Sequence, residues 1–339
     1  MSSTTAIPPN VPIGVLGTGS CVPPRIRENA EIAAAAKVTD QWILQRTGVR
    51  RRHVVEPGVA TSDLAAEAVS RAVRRAGLTV SELDLIVLAT SGPDVLGPAS
   101  ACRVQALLGA HRAVAMDVSA ACTGWLFGSR VAYDYLRAGT GERYAAVVGV
   151  EVYSPFVNPA DRATAVLFGD GAAAAVLGPV PPGRGFTPIV LGSDGTHFED
   201  VLVPVGGSRS PASPETVEGD GRYIRMDGRA VRDFILEIFP KLVAETLDRE
   251  GLTLDEIDLV LTHQPNPELL REACKGSGIP LEKLIVVGDE VGNIGAGSLP
   301  YALAEADASG RLRRGSRALI IGFGAGLTWG STVLTWSKR

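Results

Sequence analysis

Residues 76–94, AGLTVSELDLIVLATSGPD, recur as residues 250–268, EGLTLDEIDLVLTHQPNPE. Asp84 and Asp258 align at a separation of 174 positions. A second pair agrees independently: YAAVVG ends at Gly149 and RALIIG at Gly322, 173 positions apart. One offset near half of a 339-residue chain restricts the fold more than any composition does. It implies two copies of one unit, and each copy must bury its apolar face against the other.

Each copy alternates short β-branched runs with amphipathic stretches. The expected strands are Ile13–Gly17, Leu83–Ala89, Ala113–Val118, Ala145–Val150 and Ala173–Leu177, then Ile189–Gly192, Ile257–Thr262, Leu284–Val287, Ala318–Gly322 and Thr332–Trp336. Apolar residues at helical spacing predict helices over Thr61–Ala76 and Val231–Glu250. Strands alternating with helices give α/β layers, and two such units give a pseudo-twofold, five-layered arrangement. We divide the chain into halves at residues 1–180 and 181–339. Val180–Arg222, rich in Pro, Gly and Ser, is expected to link them and to include an irregular loop over Phe198–Gly221.

Several function classes lack support. The net charge is −4, and no basic stripe with interleaved aromatics exists, so nucleic acid is not an expected partner. Arg46, Arg50, Arg51 and Arg52 form one local basic cluster, expected on a solvated turn. MSSTTAIPPN has no basic segment followed by an apolar one, and no run of about 18 apolar residues occurs. Neither a secretory leader nor a membrane span is expected. Four cysteines, Cys21, Cys102, Cys122 and Cys274, show no CxxC and no paired spacing. Disulfides and a metal site are therefore not expected, and a reduced, cytoplasmic protein is. GTGSCV (17–22) and GFGAG (322–326) are glycine-rich, but neither completes GxGxxG and neither carries a phosphate-loop lysine.

DVSAACTGWLFG (117–128) places Cys122 between a strand and a helix. Unpaired N–H groups and the positive dipole end at a helix start favour thiolate, the nucleophilic form. Small neighbours, Ser119, Ala120, Ala121 and Gly124, leave room for a substrate. A small buried hydrophobe is the competing interpretation of Cys122, and it is the expected one for the other three cysteines. His263 ends a repeated strand, where α/β folds place ligands. His53, His111 and His197 sit in turn-like or polar contexts and are expected to be structural or exposed. Asn293 precedes a helix in EVGNIGAGSLP, and the repeat maps Cys122 onto Ala296, three residues away. The duplication thus draws Cys122, His263 and Asn293 towards one point.

These stretches, with DQWILQRTGVRRRH, NPADRATAVLFGDGAAAAVLG and IGFGAGLTWGS in the same order, resemble the thiolase superfamily and, within it, the ketoacyl-ACP synthase III (3-oxoacyl-ACP synthase III) family. The resemblance runs from about Ile13 to Trp336. It implies a duplicated αβαβα fold, a homodimer and a Cys–His–Asn site made of Cys122, His263 and Asn293. It also implies an oxyanion hole from the N–H groups of Cys122 and Ala325, and a gate at Phe323. Trp42, Arg46 and Arg162 would hold the coenzyme A nucleotide. The implied reaction is a decarboxylative Claisen condensation. An acyl-CoA primer loads Cys122, and malonyl-CoA or malonyl-ACP attacks it to give a 3-oxoacyl thioester. Coenzyme A thioesters are substrates here, and no cofactor is implied. Transfer of the acyl group to a hydroxyl or amine acceptor is the alternative chemistry. The chain departs from the family pattern at Pro265, Pro267, Glu268 and Ile294, and SGPDVLGP (91–98) is also unlike the housekeeping pattern. Glu268 would repel an acidic carrier protein. These departures point to a member serving polyketide or other secondary metabolism.

Overall fold

The computed structural model describes residues 7–8, 10–138 and 141–338; MSSTTA, read above for a leader, lies outside them. Two five-stranded sheets carry the fold. The first contains β1 (Ile13–Cys21), β2 (Leu85–Ala89), β3 (Val114–Val118), β4 (Ala145–Val152) and β5 (Asp170–Pro179), in the order β1-β5-β4-β2-β3. The second contains β6 (Gly185–Phe186), β7 (Val190–Ser193), β8 (Leu259–Thr262), β9 (Arg317–Gly324) and β10 (Thr328–Thr335). Its order is β8-β9-β10, with β6 and β7 both pairing the far edge of β10.

The repeat is visible atom by atom. Asp84 accepts the N–H of Tyr144 at 3.1 Å, and Asp258 accepts the N–H of Arg317, the matching strand start, at 2.8 Å. Thr79–Glu82 and Thr253–Glu256 close the same capping box before the strand. Gly77 and Gly251 both end the preceding helix in the left-handed region, φ +73° and +63°.

Those helices are α2 (Thr61–Ala76), with the expected bounds, and α5 (Gly228–Glu250), which starts three residues before the expected Val231. With α3 (Ser100–Leu108) and α6 (Pro267–Gly276) they cover the outer sheet faces. Between the sheets lie α4 (Gly124–Arg137) and α7 (Ser298–Ala308), whose Trp125, Leu126, Leu299 and Leu303 share one core with Val87 and Val147 of the first sheet and Leu261 and Ile320 of the second. The result is the five-layered α/β/α/β/α arrangement the duplication implied. The central layers meet closely: a Cβ on Gly149 would lie 2.0 Å from the Ala296 carbonyl oxygen.

One expected strand does not form. Leu284–Val287 makes only a single parallel bridge, Leu284 to Val260. Past Ile285, which still donates to the Val260 carbonyl, the ladder is replaced by the Gln264 side chain. Its Nε2 donates to the carbonyls of Thr262 and Ile285, and its Oε1 accepts from the N–H groups of Val287 and Gly288. The linker over Val180–Arg222 is mostly irregular, but it also contributes β6 and β7, a short ladder of Val201–Leu202 with Arg225–Met226, and a short helix over Pro214–Glu218. The basic cluster is not simply a solvated turn. Arg52 is buried, donates to Asn29 Oδ1 and the Val166 carbonyl at 2.7 Å each, and burial lowers its pKa to about 10. Cys102, expected to pack as a small hydrophobe, is exposed. No helix among the described residues is long and apolar enough to cross a membrane.

Candidate active site

β3 runs into a 3-10 turn, Ala121–Thr123, which opens α4. The residue before Cys122, Ala121, has φ +46°, a left-handed conformation that costs a β-carbon residue about 1–2 kcal/mol. At the repeat-related position Gly295 holds φ +50°, at the head of the matching turn Gly295–Gly297. The two turns face each other: a Cβ on Gly124 would touch the Ala296 Cβ at 3.4 Å. The fold pays for the strained turn in one half only, and it does so where the thiol is presented.

Cys122, His263, Asn293, Phe323 and Ala325 line one largely apolar cavity of about 220 Å³. His263 follows β8, and its N–H donates to the Ile321 carbonyl at 3.2 Å. Its ring meets Phe323 edge-on at 5.5 Å, and Phe323 in turn meets Phe239 at 6.2 Å. Burial drives the His263 pKa down to about 3, with only the Gly295 backbone opposing, so the imidazole is neutral. Its Nδ1 has no protein partner.

Asn293 is fixed on three sides. Its N–H donates to the Leu167 carbonyl at 2.8 Å, its carbonyl accepts from Gly169 at 3.0 Å, and its Oδ1 accepts from Gly295 at 2.9 Å. With Oδ1 so occupied, the side-chain NH₂ is the group left for a ligand. Arg52 supports this arrangement from below: its guanidinium holds Val166, and a Cβ on Gly169 or Gly292 would meet Arg52 Cβ at 3.1 or 2.9 Å.

The turn after β9 presses on the cysteine. A Cβ on Gly324 would lie 2.9 Å from Cys122 N. Thr328 Oγ1 sits 3.1 Å from the carbonyl oxygens of both Ala120 and Ala325, tying the two turns together. The N–H groups of Cys122 and Ala325 donate to no carbonyl among the described residues, so both are free to meet an oxyanion.

The charge state of Cys122 differs from the expectation. Desolvation, and then Glu151 in its ionised form, push the thiol up to about 12, with only a backbone N–H acting the other way. The helix start is present, but loss of water outweighs it. The resting group is therefore a thiol, and it must shed its proton during attack.

Trp42, Arg46 and Arg162 do not line the cavity. Trp42 and Arg46 lie on α1 (Asp40–Thr47), whose end abuts α6: a Cβ on Gly48 would meet Pro267 Cβ at 2.8 Å. Trp42 packs beside Leu167, Phe168 and Ile224, which do line it. Arg162 is exposed on the turn leading to Leu167 and Phe168. Neither Arg46 nor Arg162 makes an ion pair or hydrogen bond among the described residues, which leaves both guanidiniums available. Glu268 is ion-paired to Arg271 on the next turn of α6, so its charge is answered locally.

Ser91, which opens SGPDVLGP, lines the cavity, whereas the roles of Gln264, Glu151 and Tyr153 were missed in the sequence. Glu151 carried a signal: it is an acidic residue inside the apolar run VVGVEV, and a buried unpaired carboxylate is rare.

Residues 116–195 match the family described as 3-oxoacyl-[acyl-carrier-protein (ACP)] synthase III, and residues 247–336 match its C-terminal region. The chain is 43% identical, over 96% of its length and 99% of the relative's, to the beta-ketoacyl-[acyl-carrier-protein] synthase III of Symbiobacterium thermophilum. The structure of 3-oxoacyl-(acyl carrier protein) synthase III from Pseudomonas aeruginosa PAO1 superposes with a TM-score of 0.88 at 38% identity, covering 96% of this chain and 99% of that one. A priming beta-ketosynthase from the R1128 polyketide biosynthetic pathway gives a TM-score of 0.88 at 31% identity, covering 98% of both.

Proposed function

The chain belongs to the 3-oxoacyl-[acyl-carrier-protein] synthase III family, and from that premise we propose that it condenses an acyl-CoA primer with a malonyl thioester, with loss of CO₂. The observation that carries this is the convergence of Cys122, neutral His263 and the free amide of Asn293 on one apolar cavity. In the first half-reaction the Cys122 sulfur attacks the primer thioester, and His263 takes the thiol proton as it leaves and passes it to the coenzyme A sulfur. The oxyanion faces the N–H groups of Cys122 and Ala325. In the second, the malonyl carboxylate departs as CO₂, and the enolate oxygen is held by the His263 ring N–H and the Asn293 NH₂. The enolate carbon bonds to the acyl carbon, the S–C bond breaks, and the Cys122 thiolate takes up one proton. Phe323, against His263, is the gate over the acylated cysteine.

Trp42 would stack on the adenine, and Arg46 and Arg162 would pair its phosphates. The extender is malonyl-CoA or malonyl-ACP; the Glu268–Arg271 pair lessens the repulsion an acidic carrier would meet at α6. Pro265, Pro267, Glu268 and Ile294, together with the likeness to a polyketide-priming ketosynthase, support service in a natural-product pathway. A thiol nucleophile suits the reducing cytoplasm. Residues 1–180 supply the nucleophile, and 181–339 supply the histidine and asparagine.

Intact mass spectrometry with a panel of acyl-CoAs tests the reading. A mass gain on Cys122, discharged by a malonyl thioester with CO₂ release, is the expected result. Discharge only by an alcohol or amine would make the protein an acyltransferase without condensation, and no adduct from any thioester would sink both readings.

A homodimer is supported by the first sheet's free edge. Among the described residues β3 pairs on one side only, and Val114 on it is 47% exposed. Edge-to-edge pairing of two copies would cover Val114. Light scattering should give twice the chain mass, and Met116→Lys on that edge should give the monomer.

A further inference from the structure

Glu151 takes no part in the chemistry above, yet it is fully buried on β4, and no lysine or arginine among the described residues pairs with it. Its two oxygens accept the Ser91 N–H at 3.0 and 3.1 Å, and Oε2 accepts from Thr90 Oγ1 at 3.2 Å. Gly295 presses on it: a Cβ there would lie 2.6 Å from Glu151 Cγ and 2.5 Å from Tyr153 Oη. Gly295 is the residue whose N–H orients Asn293, and Ser91 and Tyr153 line the cavity with Cys122. The carboxyl is therefore wedged between the loop after β2 and the asparagine turn, behind the Ser91 and Tyr153 wall of the cavity that Cys122 also lines.

We propose that Glu151 is a positioning residue for primer loading: as a neutral acid behind the cavity wall it leaves the Cys122 thiol free to ionise during attack, and its own ionisation shuts loading off. The step it governs breaks the Cys122 S–H bond and the primer's C–S bond, forms the acyl–Sγ bond and leaves the proton on the coenzyme A sulfur. An unpaired carboxylate buried behind the cavity wall opposes the negative charge that grows on the sulfur. No cationic group among the described residues offsets it. The titratable groups facing it are Cys122 on the cysteine turn, Tyr153 on its own strand and, beyond Gly295, neutral His263. Thr90 and Ser91 carry no charge. Asp170 on the neighbouring strand is turned instead to the N–H groups of Val55 and Ser154. Burial raises the Glu151 pKa to about 8 against those hydrogen bonds.

The inference rests on Cys122 being the acyl acceptor. The test is the single-turnover rate of adduct formation from an acyl-CoA against pH. Wild-type protein should lose about tenfold per unit above the Glu151 pKa. Glu151→Gln should lose that alkaline limb, and Glu151→Asp should keep it. A Gln variant that follows the wild-type limb, or a wild type without one, overturns the inference and leaves the acyl-acceptor reading standing. Absence of any adduct overturns both. Should Glu151→Gln fail to fold, wild-type protein labelled with carboxyl-¹³C glutamate gives the answer by NMR: one carboxyl should titrate near pH 8, and ordinary values for every glutamate overturn the proposal.

Discussion

Cys122→Ala protein, incubated with acyl-CoA and a malonyl thioester, is expected to keep its unmodified mass and to lose at least about a thousandfold of its turnover. Alanine fits the space, so the fold should survive: Cys122 is only half-buried at the cavity floor and makes no side-chain hydrogen bond to a neighbour. What is lost is the one atom placed to accept the acyl group. Cys122→Ser keeps the shape and a proton-bearing oxygen, but its hydroxyl is a weaker nucleophile at a site already short of water, so it should load only slowly. Unchanged loading in the alanine variant would move the nucleophile elsewhere and would end the mechanism proposed for this cavity.

Asn293→Ala should separate the two half-reactions. Its amide faces the cavity with Oδ1 already occupied by Gly295, so what the substrate loses is a donor to the enolate oxygen. Removing one such preorganised donor costs about 10²–10³ in rate. The acyl adduct should still form, whereas its discharge by a malonyl thioester and the release of CO₂ should fall by that factor. The Gly295 N–H loses its acceptor as well, which costs about 1–3 kcal/mol of stability and should lower the melting temperature without unfolding the protein at 25 °C. Loss of loading and condensation by equal factors would show that Asn293 supports the cavity rather than the enolate.

Much of this is legible in the sequence. The repeat of Asp84 at Asp258 named the duplication, and both aspartates make the same bond to the start of a neighbouring strand. The helix over Thr61–Ala76 follows from its apolar period alone. Leu284–Val287 was misread as a strand because a short apolar run looks the same whether or not a neighbour's side chain takes over its backbone groups, as Gln264 does here. Arg52 was misplaced because a basic residue in a run of basic residues gives no sign that one of them turns inward. Glu151 stood in plain view inside an apolar strand, but its nearness to Cys122 depends on contacts across 29 positions of chain.

The sequence by itself determined the duplication, the alternation of strand and helix, and the residue types that meet at the pseudo-twofold, because periodicity and repetition are properties of the chain read in order. Charge states were decided only by the tertiary structure. Desolvation makes Cys122 a thiol at rest and His263 a neutral imidazole, and it raises the Glu151 pKa to about 8. Each shift depends on how much water the neighbours exclude and which charges they bring near, and those neighbours come from both halves of the chain.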